Sequence, residues 1–191
     1  MTIRPVENKK VYRLLNHGPT VMISAKHNNV ENVMSASWVC PLDSSPAKVT
    51  AVIDKNSYTR QLIEQSGLFA IQIPVAKQAE TVIKVGTQSY FTHPNKLIDS
   101  NVKLFYQDGF DVPLVNDCAA WLICRLIPEP HNESVYDLLI GEVICAWADD
   151  RVFADGHWRF DNVTDEMKTL HYVAGKQFYI TGKGLIVDDD S

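Results

Sequence analysis

Seven short runs of apolar and β-branched residues, separated by turn residues, restrict the fold of this chain more than any other feature. They lie at residues 21–25, 33–39, 49–53, 69–73, 101–106, 118–127 and 135–148. The last three follow one another with only short polar breaks, whereas βαβ units would place a helical pattern between successive strands. The spacing therefore predicts a mainly β fold, an antiparallel barrel with a few helices.

Two segments carry helix start and stop signals. The first begins with Asn56 or Ser57 as its N-cap and ends at Ser66-Gly67, where a glycine favours a C-cap. The second runs over residues 76–84 and meets Gly86 in the same way. Residues 165–170 are a candidate for a short third helix, and the acidic tail 187–191 is expected to be frayed and solvated.

The composition is that of one folded domain over residues 1–191. The 191 residues are 46% hydrophobic and 21% charged, and no Pro/Gly linker or internal repeat divides them. The net charge of -5 gives no basic footprint for a nucleic acid. We therefore expect a single domain that does not bind nucleic acid.

The cysteine spacing and the N-terminus bear on the cellular compartment. Cysteines at 40, 118, 124 and 145 form no CxxC pair and no run with histidine at zinc-ligand spacing. The N-terminus lacks the apolar stretch of a signal peptide, and no apolar run reaches the roughly 18 residues needed to span a bilayer. We expect a cytoplasmic protein with reduced thiols, no metal site and no membrane partner.

Small hydroxyl side chains line one face of the predicted strand 33–39. Period-two alternation places Ser35 and Ser37 on that face and Met34, Ala36 and Trp38 on the other. Side chains this small let a planar ring lie against the strand, where backbone amides can hydrogen-bond its polar edge. A half-buried strand whose serines meet solvent fits the pattern equally well.

The segment from Lys55 to Arg60 adds cations and hydroxyls where the first helix begins. A helix starting near Ser57 exposes unpaired N–H groups and a positive dipole end, to which the Thr59 hydroxyl and the charge of Lys55 or Arg60 can add. A phosphate monoester carries about -1.5 to -2 charges at neutral pH and suits these donors. A capped surface helix is the commoner meaning of such residues, but the preceding strand favours a phosphorylated, planar cofactor.

The order of these pieces resembles the FMN-binding split-barrel flavin reductases, especially their flavoredoxin-like branch. Members show an Asn-Val-Met-(Ser/Thr)-Ala-Ser-Trp strand, a proline-containing turn, a Tyr-Thr helix start and a Ser-Gly-(Leu/Glu)-Phe segment. This chain matches at 32–38, Pro46, Tyr58-Thr59 and 66–69. The likeness continues through 86–89, 141–143 and 170–175, so it covers nearly the whole chain.

The resemblance implies a Greek-key-like split barrel, a homodimer, and one FMN per subunit near the dimer interface, with FAD as a second possible flavin. The strand residues would line the ring and ribityl chain, and the helix start would surround the phosphate with Lys96 as a second cation. The implied cofactor-binding residues are Asn32, Met34, Ser35, Ala36, Ser37, Trp38, Val39, Cys40, Lys55, Ser57, Tyr58, Thr59, Gly86, Ser89, Lys96 and His171.

One loop departs from the family pattern. Where many relatives have Ser-Gly-Arg-Asp before the lysine, this chain has Ser-Tyr-Phe-Thr-His-Pro-Asn over residues 89–95, one residue longer.

Two of the implied residues also have ordinary explanations. Cys40 follows the strand that the flavin would contact, but a buried and unreactive thiol is the commoner role of a free cysteine. Isolated histidines are usually packing or surface residues. His171 is nevertheless the best candidate among them for a contact with the ring or its substrate, because it falls in a matching segment.

The resemblance implies an oxidoreductase that takes a hydride from NADH or NADPH onto the flavin and passes electrons to a small molecule or a redox protein. No Gly-x-Gly-x-x-Gly turn follows a strand, so a nicotinamide dinucleotide would bind transiently on the flavin face. Two alternatives stay open. One is an FMN electron carrier without its own NAD(P)H turnover, and the other is a related barrel that binds haem or another cofactor.

Overall fold

The strands and helices occupy most of the predicted segments, with different bounds. A computed structural model describes residues 2–187. The strands are β1 (Ile3–Pro5), β2 (Val21–His27), β3 (Val30–Ala36), β4 (Val39–Ser44), β5 (Ala47–Val52), β6 (Leu68–Ile73), β7 (Leu104–Phe105), β8 (Leu114–Val115), β9 (Ala120–Ile127), β10 (Leu138–Asp149), β11 (Phe153–Ala154), β12 (His157–Trp158), β13 (Leu170–Ala174) and β14 (Gln177–Ile180). The α-helices are α1 (Tyr58–Ser66), α2 (Ala79–Thr87), α3 (Lys96–Asp99) and α4 (Pro130–Tyr136), and short 3-10 helices occupy Asn8–Leu14, Ala76–Gln78 and Asp165–Met167.

The main sheet is an antiparallel barrel with one open seam. Its strand order is β3-β2-β6-β9-β10-β5-β4, with β1 added beside β10. The two ends of that order, β3 and β4, are joined in the chain by Ser37 and Trp38 alone. A connection this short spans about 10 Å at most, so the two edges lie close together without a ladder between them in the described structure. The mainly β split-barrel prediction is confirmed.

Both faces of the sheet are buried, each in its own hydrophobic cluster. Along β2, Val21 and Ile23 belong to one cluster and Met22 belongs to the other. The first cluster contains residues of β2, β5 and α1, so it lies inside the barrel. The second contains residues of α2 and of the β7–β8 hairpin, which cover the outer face. Burial on both faces explains why the strands are continuous apolar runs rather than alternating ones.

The first predicted helix is confirmed in its bounds and in its caps. Ser57 is the N-cap of α1, and Gly67 ends the helix in the left-handed conformation with φ 71°. Leu62 and Ile63 are buried against the barrel interior, as the pattern predicts. α1 is therefore positioned by a local signal at each end and by one apolar face.

Three strand predictions are wrong in their extent. The run 33–39 is not one strand, because the chain bends at Ser37 and restarts as β4. In 101–106 only Leu104–Phe105 is a strand, and Asn101 sits in the left-handed region with φ 53°. The run 135–148 begins late, because α4 starts on a proline and ends at Asp137 with φ 54°.

The remaining helix predictions need smaller corrections. Gly86 lies inside α2 rather than after it, and the C-cap is Gln88. The segment 165–170 is a 3-10 turn over Asp165–Met167 followed by the start of β13. Most of the acidic tail, 188–191, lies outside the described residues. None of the helices in residues 2–187 has the length and hydrophobicity to cross a bilayer.

Candidate functional site

The start of α1 offers free hydrogen-bond donors beside the edge of the sheet. Ser57 Oγ accepts a hydrogen bond from the Arg60 amide at 3.2 Å, so this hydroxyl is used as the helix cap. The amides of Tyr58 and Thr59 precede the first intrahelical hydrogen bond and have no partner within the helix. Thr59 Oγ1 accepts a 2.8 Å hydrogen bond from Asn32 Nδ2 on β3, which leaves the Thr59 hydroxyl hydrogen free to donate. Two amides and one hydroxyl are therefore available to an external acceptor.

Lys96 is a buried cation facing the same place. The residue is only 2% exposed, and its Nζ donates a 2.8 Å hydrogen bond to the Val85 carbonyl oxygen. None of the ion pairs among the described residues includes this lysine. Burial lowers the pKa of Lys96 from 10.5 to about 8. Because a fully buried lysine normally has an acidic partner, this one indicates a site for an anion from outside the chain.

Two buried amide oxygens close to Lys96 have no donor. Asn32 Oδ1 and Gln88 Oε1 lack a hydrogen-bond partner in the described structure. Both residues line the same cavity as Lys96. An unsatisfied buried acceptor costs free energy, so these oxygens suit the hydroxyl hydrogens of a bound molecule.

These groups surround a cavity of about 230 Å³, which we call the helix-end cavity. One acidic residue also lines it: Asp54 is exposed, and its Oδ1 accepts a 2.7 Å hydrogen bond from the Asn56 amide. Among the residues implied by the resemblance, the wall contains Asn32, Met34, Ser57, Tyr58, Thr59, Gly86, Ser89 and Lys96. The donors and the cation at its inner wall suit an anionic group.

A second cavity of about 150 Å³, the strand-end cavity, continues along β3. Ser35, Ala36 and Ser37 line it from β3 and the following bend, and the β13–β14 hairpin contributes Tyr172 and Phe178. All the side chains lining it within the described residues are uncharged. Gly86 and Thr87 line both cavities, so the two form one groove with a cationic end and a neutral end.

The backbone of β3 borders this groove with an unpaired edge. β3 is the last strand of the sheet order, so the backbone groups on its outer side are not used in a ladder. α2 comes very close to it: a Cβ atom at Gly86 would lie 2.0 Å from Ser35 Oγ. A side chain at position 86 would require Ser35 to move, and glycine avoids this contact within the helix.

Five of the implied residues lie outside both cavities. Trp38 is 73% exposed, because the bend after β3 turns it outward, and Val39 packs into the barrel interior. Cys40 is exposed on β4, so the expectation of a buried thiol is wrong. Lys55 is exposed and lines neither cavity, although its neighbours Asp54 and Asn56 line the helix-end one.

Arg60 does not supply its charge to the cavity. Its guanidinium donates to the carbonyl oxygens of Ile53, Asp137 and Glu133 and pairs with Glu64 at 2.5 Å. These bonds tie α1 to β5 and α4. The residue is therefore structural, contrary to the expectation that it could complete the anion site.

His171 is the fifth implied residue that lies outside both cavities, and it holds the C-terminal hairpin in place. Because a carbonyl can only accept, Nδ1 of His171 donates to Gly18 O at 3.2 Å, and Nε2 forms a hydrogen bond with Thr181 Oγ1 at 3.2 Å. The neighbouring His17 is packed 5.6 Å from it, ring to ring, and burial lowers the pKa of His17 to about 4. His171 does not line the groove itself, but it positions the next residue, Tyr172, which lines the strand-end cavity.

Several residues of the groove were not among those implied by the resemblance. Thr20 is an ordinary polar residue, and Thr87 and Gln88 lie in the matching segment 86–89 without a role assigned to them. Tyr172 and Phe178 lie in matching or adjacent C-terminal positions, but nothing local shows that their hairpin folds back over β3. Only the tertiary arrangement brings them to the groove.

Known proteins resemble this chain over most of its length. Residues 12–178 match the family model of the flavin reductase like domain. The chain is 38% identical over 182 residues to "Uncharacterized protein YddH" of Escherichia coli (strain K12), covering 94% of this chain and 95% of that one.

Two crystal structures illustrate the range of the likeness. An FMN-binding domain of a flavin reductases-like enzyme from Shewanella baltica OS155 is 51% identical, with a TM-score of 0.96 over 98% of each chain. Flavoredoxin of Desulfovibrio vulgaris (Miyazaki F) is 19% identical, with a TM-score of 0.75 over 89% of this chain and 90% of that one. The second similarity concerns the fold alone.

Proposed function

This chain belongs to the flavin reductase-like domain family, and on that premise we propose that it is an FMN-binding oxidoreductase of the flavin reductase type. The observation that carries the proposal is Lys96, a buried cation without an acidic partner among the described residues, facing the donors at the start of α1. The Shewanella baltica relative, whose name gives it as FMN-binding, supports the choice of ligand.

The helix-end cavity would hold the phosphate. The hydroxyl of Thr59 and the amides of Tyr58 and Thr59 would donate to its oxygens, and Lys96 would supply the charge. Each hydrogen bond to a charged group contributes about 1.5–3 kcal/mol. Asn32 Oδ1 and Gln88 Oε1, which lack donors, would accept from the ribityl hydroxyls.

The strand-end cavity would hold the ring system. Its uncharged walls suit a planar aromatic group, and the free backbone edge of β3 can hydrogen-bond the polar edge of that group. Once bound, FMN would supply the hydride and electron transfer chemistry, with NADH or NADPH as the transient reductant. The chain itself would bind the flavin, orient it and limit its contact with water.

The phosphate site is tested by comparing FMN with riboflavin, which lacks the phosphate. Calorimetric titration should give FMN an affinity on the order of a hundredfold higher, the equivalent of about two charge-assisted hydrogen bonds. Lys96→Met should weaken FMN and leave riboflavin unchanged, whereas Lys103→Met, an exposed lysine outside the groove, should change neither. Equal affinity for the two flavins would contradict the phosphate assignment.

The oxidoreductase activity is tested by anaerobic mixing of the FMN-loaded protein with NADH and NADPH. Rapid loss of the visible flavin absorption supports the reductase. Flavin that stays oxidised with both nucleotides would contradict the reductase and would favour the FMN electron carrier. A red-brown purified protein would instead indicate haem. The homodimer and the electron acceptor implied by the resemblance stay predictions.

A further inference from the structure

The loop between α2 and Lys96 carries two aromatic residues onto the start of α1. The amides of Thr92 and His93 bond to the Ser89 carbonyl oxygen at 3.2 and 2.8 Å, so the loop makes a tight turn. Tyr90 stacks on Tyr58 with ring centroids 4.3 Å apart and an interplanar angle of 21°. Phe91 meets the same Tyr58 ring edge-on at 5.1 Å. This stack ties the loop to the first residue of α1.

Tyr58 and Tyr90 both line the helix-end cavity, the end at which the phosphate would sit. Two of the groups that would meet the phosphate are almost inaccessible: Thr59 is 1% exposed and Lys96 is 2% exposed. These groups lie on the inner wall of the cavity, whereas Asp54, Asn56 and Ser89 at its rim are exposed. The groove continues in the other direction, past Gly86 and Thr87, into the strand-end cavity.

Two kinds of flavin would differ at the rim of this cavity. A terminal phosphate monoester needs no space beyond its own oxygens. In FAD the corresponding phosphate continues into a second phosphate and an adenosine, which would have to leave the cavity past α1 and the loop. The Tyr58–Tyr90 stack bridges α1 and the loop there, and the exposed carboxylate of Asp54, which also lines the cavity, would repel a further anion.

We infer that Tyr90 is a specificity-determining residue: by stacking on Tyr58 it narrows the opening between α1 and the loop at the phosphate end of the groove, so that the site prefers a flavin monophosphate to a flavin dinucleotide. This inference rests on the proposed function. It assigns a role to the loop that departs from the family pattern, since Tyr90 belongs to its Ser-Tyr-Phe-Thr-His-Pro-Asn stretch.

The test is calorimetric titration of the full-length, flavin-free protein with FMN and with FAD, in the wild type, Tyr90→Ala and Tyr90→Phe. Tyr90 lies on a half-buried surface loop, so its truncation should leave the barrel folded. The wild type should bind FMN about tenfold more tightly than FAD, which is near the upper end of the factor that loss of one aromatic pair represents. Tyr90→Ala should reduce this preference to about twofold or less. Tyr90→Phe keeps the ring and should retain the wild-type preference.

Other outcomes overturn the inference in distinguishable ways. Equal wild-type affinity for FMN and FAD, or an unchanged preference in Tyr90→Ala, would mean that the stack does not select the ligand. A larger loss of FAD than of FMN affinity in Tyr90→Ala would make the ring a platform for adenine instead. Failure of both flavins to bind the wild type would overturn the proposed function, and this inference with it.

Discussion

Lys96 should make the flavin-free protein less stable than its Lys96→Met variant. Burial lowers the pKa of Lys96 from 10.5 to about 8, which corresponds to about 3 kcal/mol of unfavourable free energy for the charged form. Methionine has a similar length and no charge. The variant loses the charge-assisted hydrogen bond to Val85 O, worth about 1.5–3 kcal/mol. The net gain at pH 7 should therefore be about 0.5–2 kcal/mol in the free energy of unfolding.

The stability difference between the wild type and Lys96→Met should depend on pH, in a direction that follows from the lowered pKa. The pKa is lower in the folded than in the unfolded state, so between pH 8 and pH 10.5 the unfolded state binds the extra proton. The stability of the wild type relative to Lys96→Met should therefore rise with pH across that window. The advantage of the variant should be largest below pH 8, and above pH 10.5 the variant should be the less stable protein by about 1 kcal/mol, because only the lost hydrogen bond to Val85 O remains there.

The assay is urea unfolding of both proteins, without flavin, at several pH values from 7 to above 10. Taking the difference in the free energy of unfolding between the two proteins at each pH removes the contribution of groups that titrate in both. Lys103→Met, an exposed lysine, is the matched control and should show no such pH-dependent difference. A variant that is less stable than the wild type at pH 7 by the same amount at every pH would refute the argument, because Lys96 would then not carry a desolvated charge.

Three further predictions concern the walls of the groove. Gly86→Ala should destabilise the protein by about 1–3 kcal/mol in denaturant unfolding, because the new Cβ would meet Ser35 Oγ at 2.0 Å, and adding Ser35→Ala should restore most of the loss. If the double variant is no better than the single one, the contact is not the cause. Thr59→Ala should weaken FMN several-fold in a binding titration, since one hydrogen bond of about 0.5–1.5 kcal/mol is lost, whereas Thr59→Ser should not. Equal FMN affinity in wild type and Thr59→Ala would contradict that role. Burial lowers the pKa of His17 from 6.5 to about 4 in the folded state. As the pH falls from 6.5 to 4, the free energy of unfolding of the wild type should therefore decrease by up to about 3 kcal/mol relative to that of His17→Gln. Parallel stability profiles of the two proteins would contradict this.

The sequence predicts those elements whose signals are local. Ser57 and Gly67 delimit α1 because each satisfies the backbone of its own helix end, whatever the rest of the chain does. The apolar runs predict strands buried on both faces, and the two hydrophobic clusters explain why they do not alternate. These signals suffice for a mainly β fold.

The errors fall where a tertiary contact decides. The sequence predicts a helix end at Gly86, but α2 continues through it and brings this position close to Ser35 across the groove. The bend at Ser37 separates β3 from β4 because the chain crosses the seam of the barrel there, and it moves Trp38 and Cys40 away from the groove. Neither event has a signature in the neighbouring residues.

The candidate site was predicted in part by its residue types and in part by resemblance. Thr59 and Ser57 follow from helix-end chemistry, whereas Lys96 was placed by resemblance alone. Its burial, and the missing donors of Asn32 and Gln88, are visible only in the structure because they depend on α1, α2 and β3 meeting at one point. The Tyr58–Tyr90 stack likewise joins residues 32 positions apart in the chain.

The most direct test of the central claim is a crystal structure of the protein grown with FMN. The account predicts electron density for the phosphate within hydrogen-bond distance of Thr59 Oγ1 and Lys96 Nζ, and density for the ring beside Ser35 and Ser37. A phosphate bound away from the start of α1, or a flavin-saturated protein whose groove holds no ligand, would contradict it.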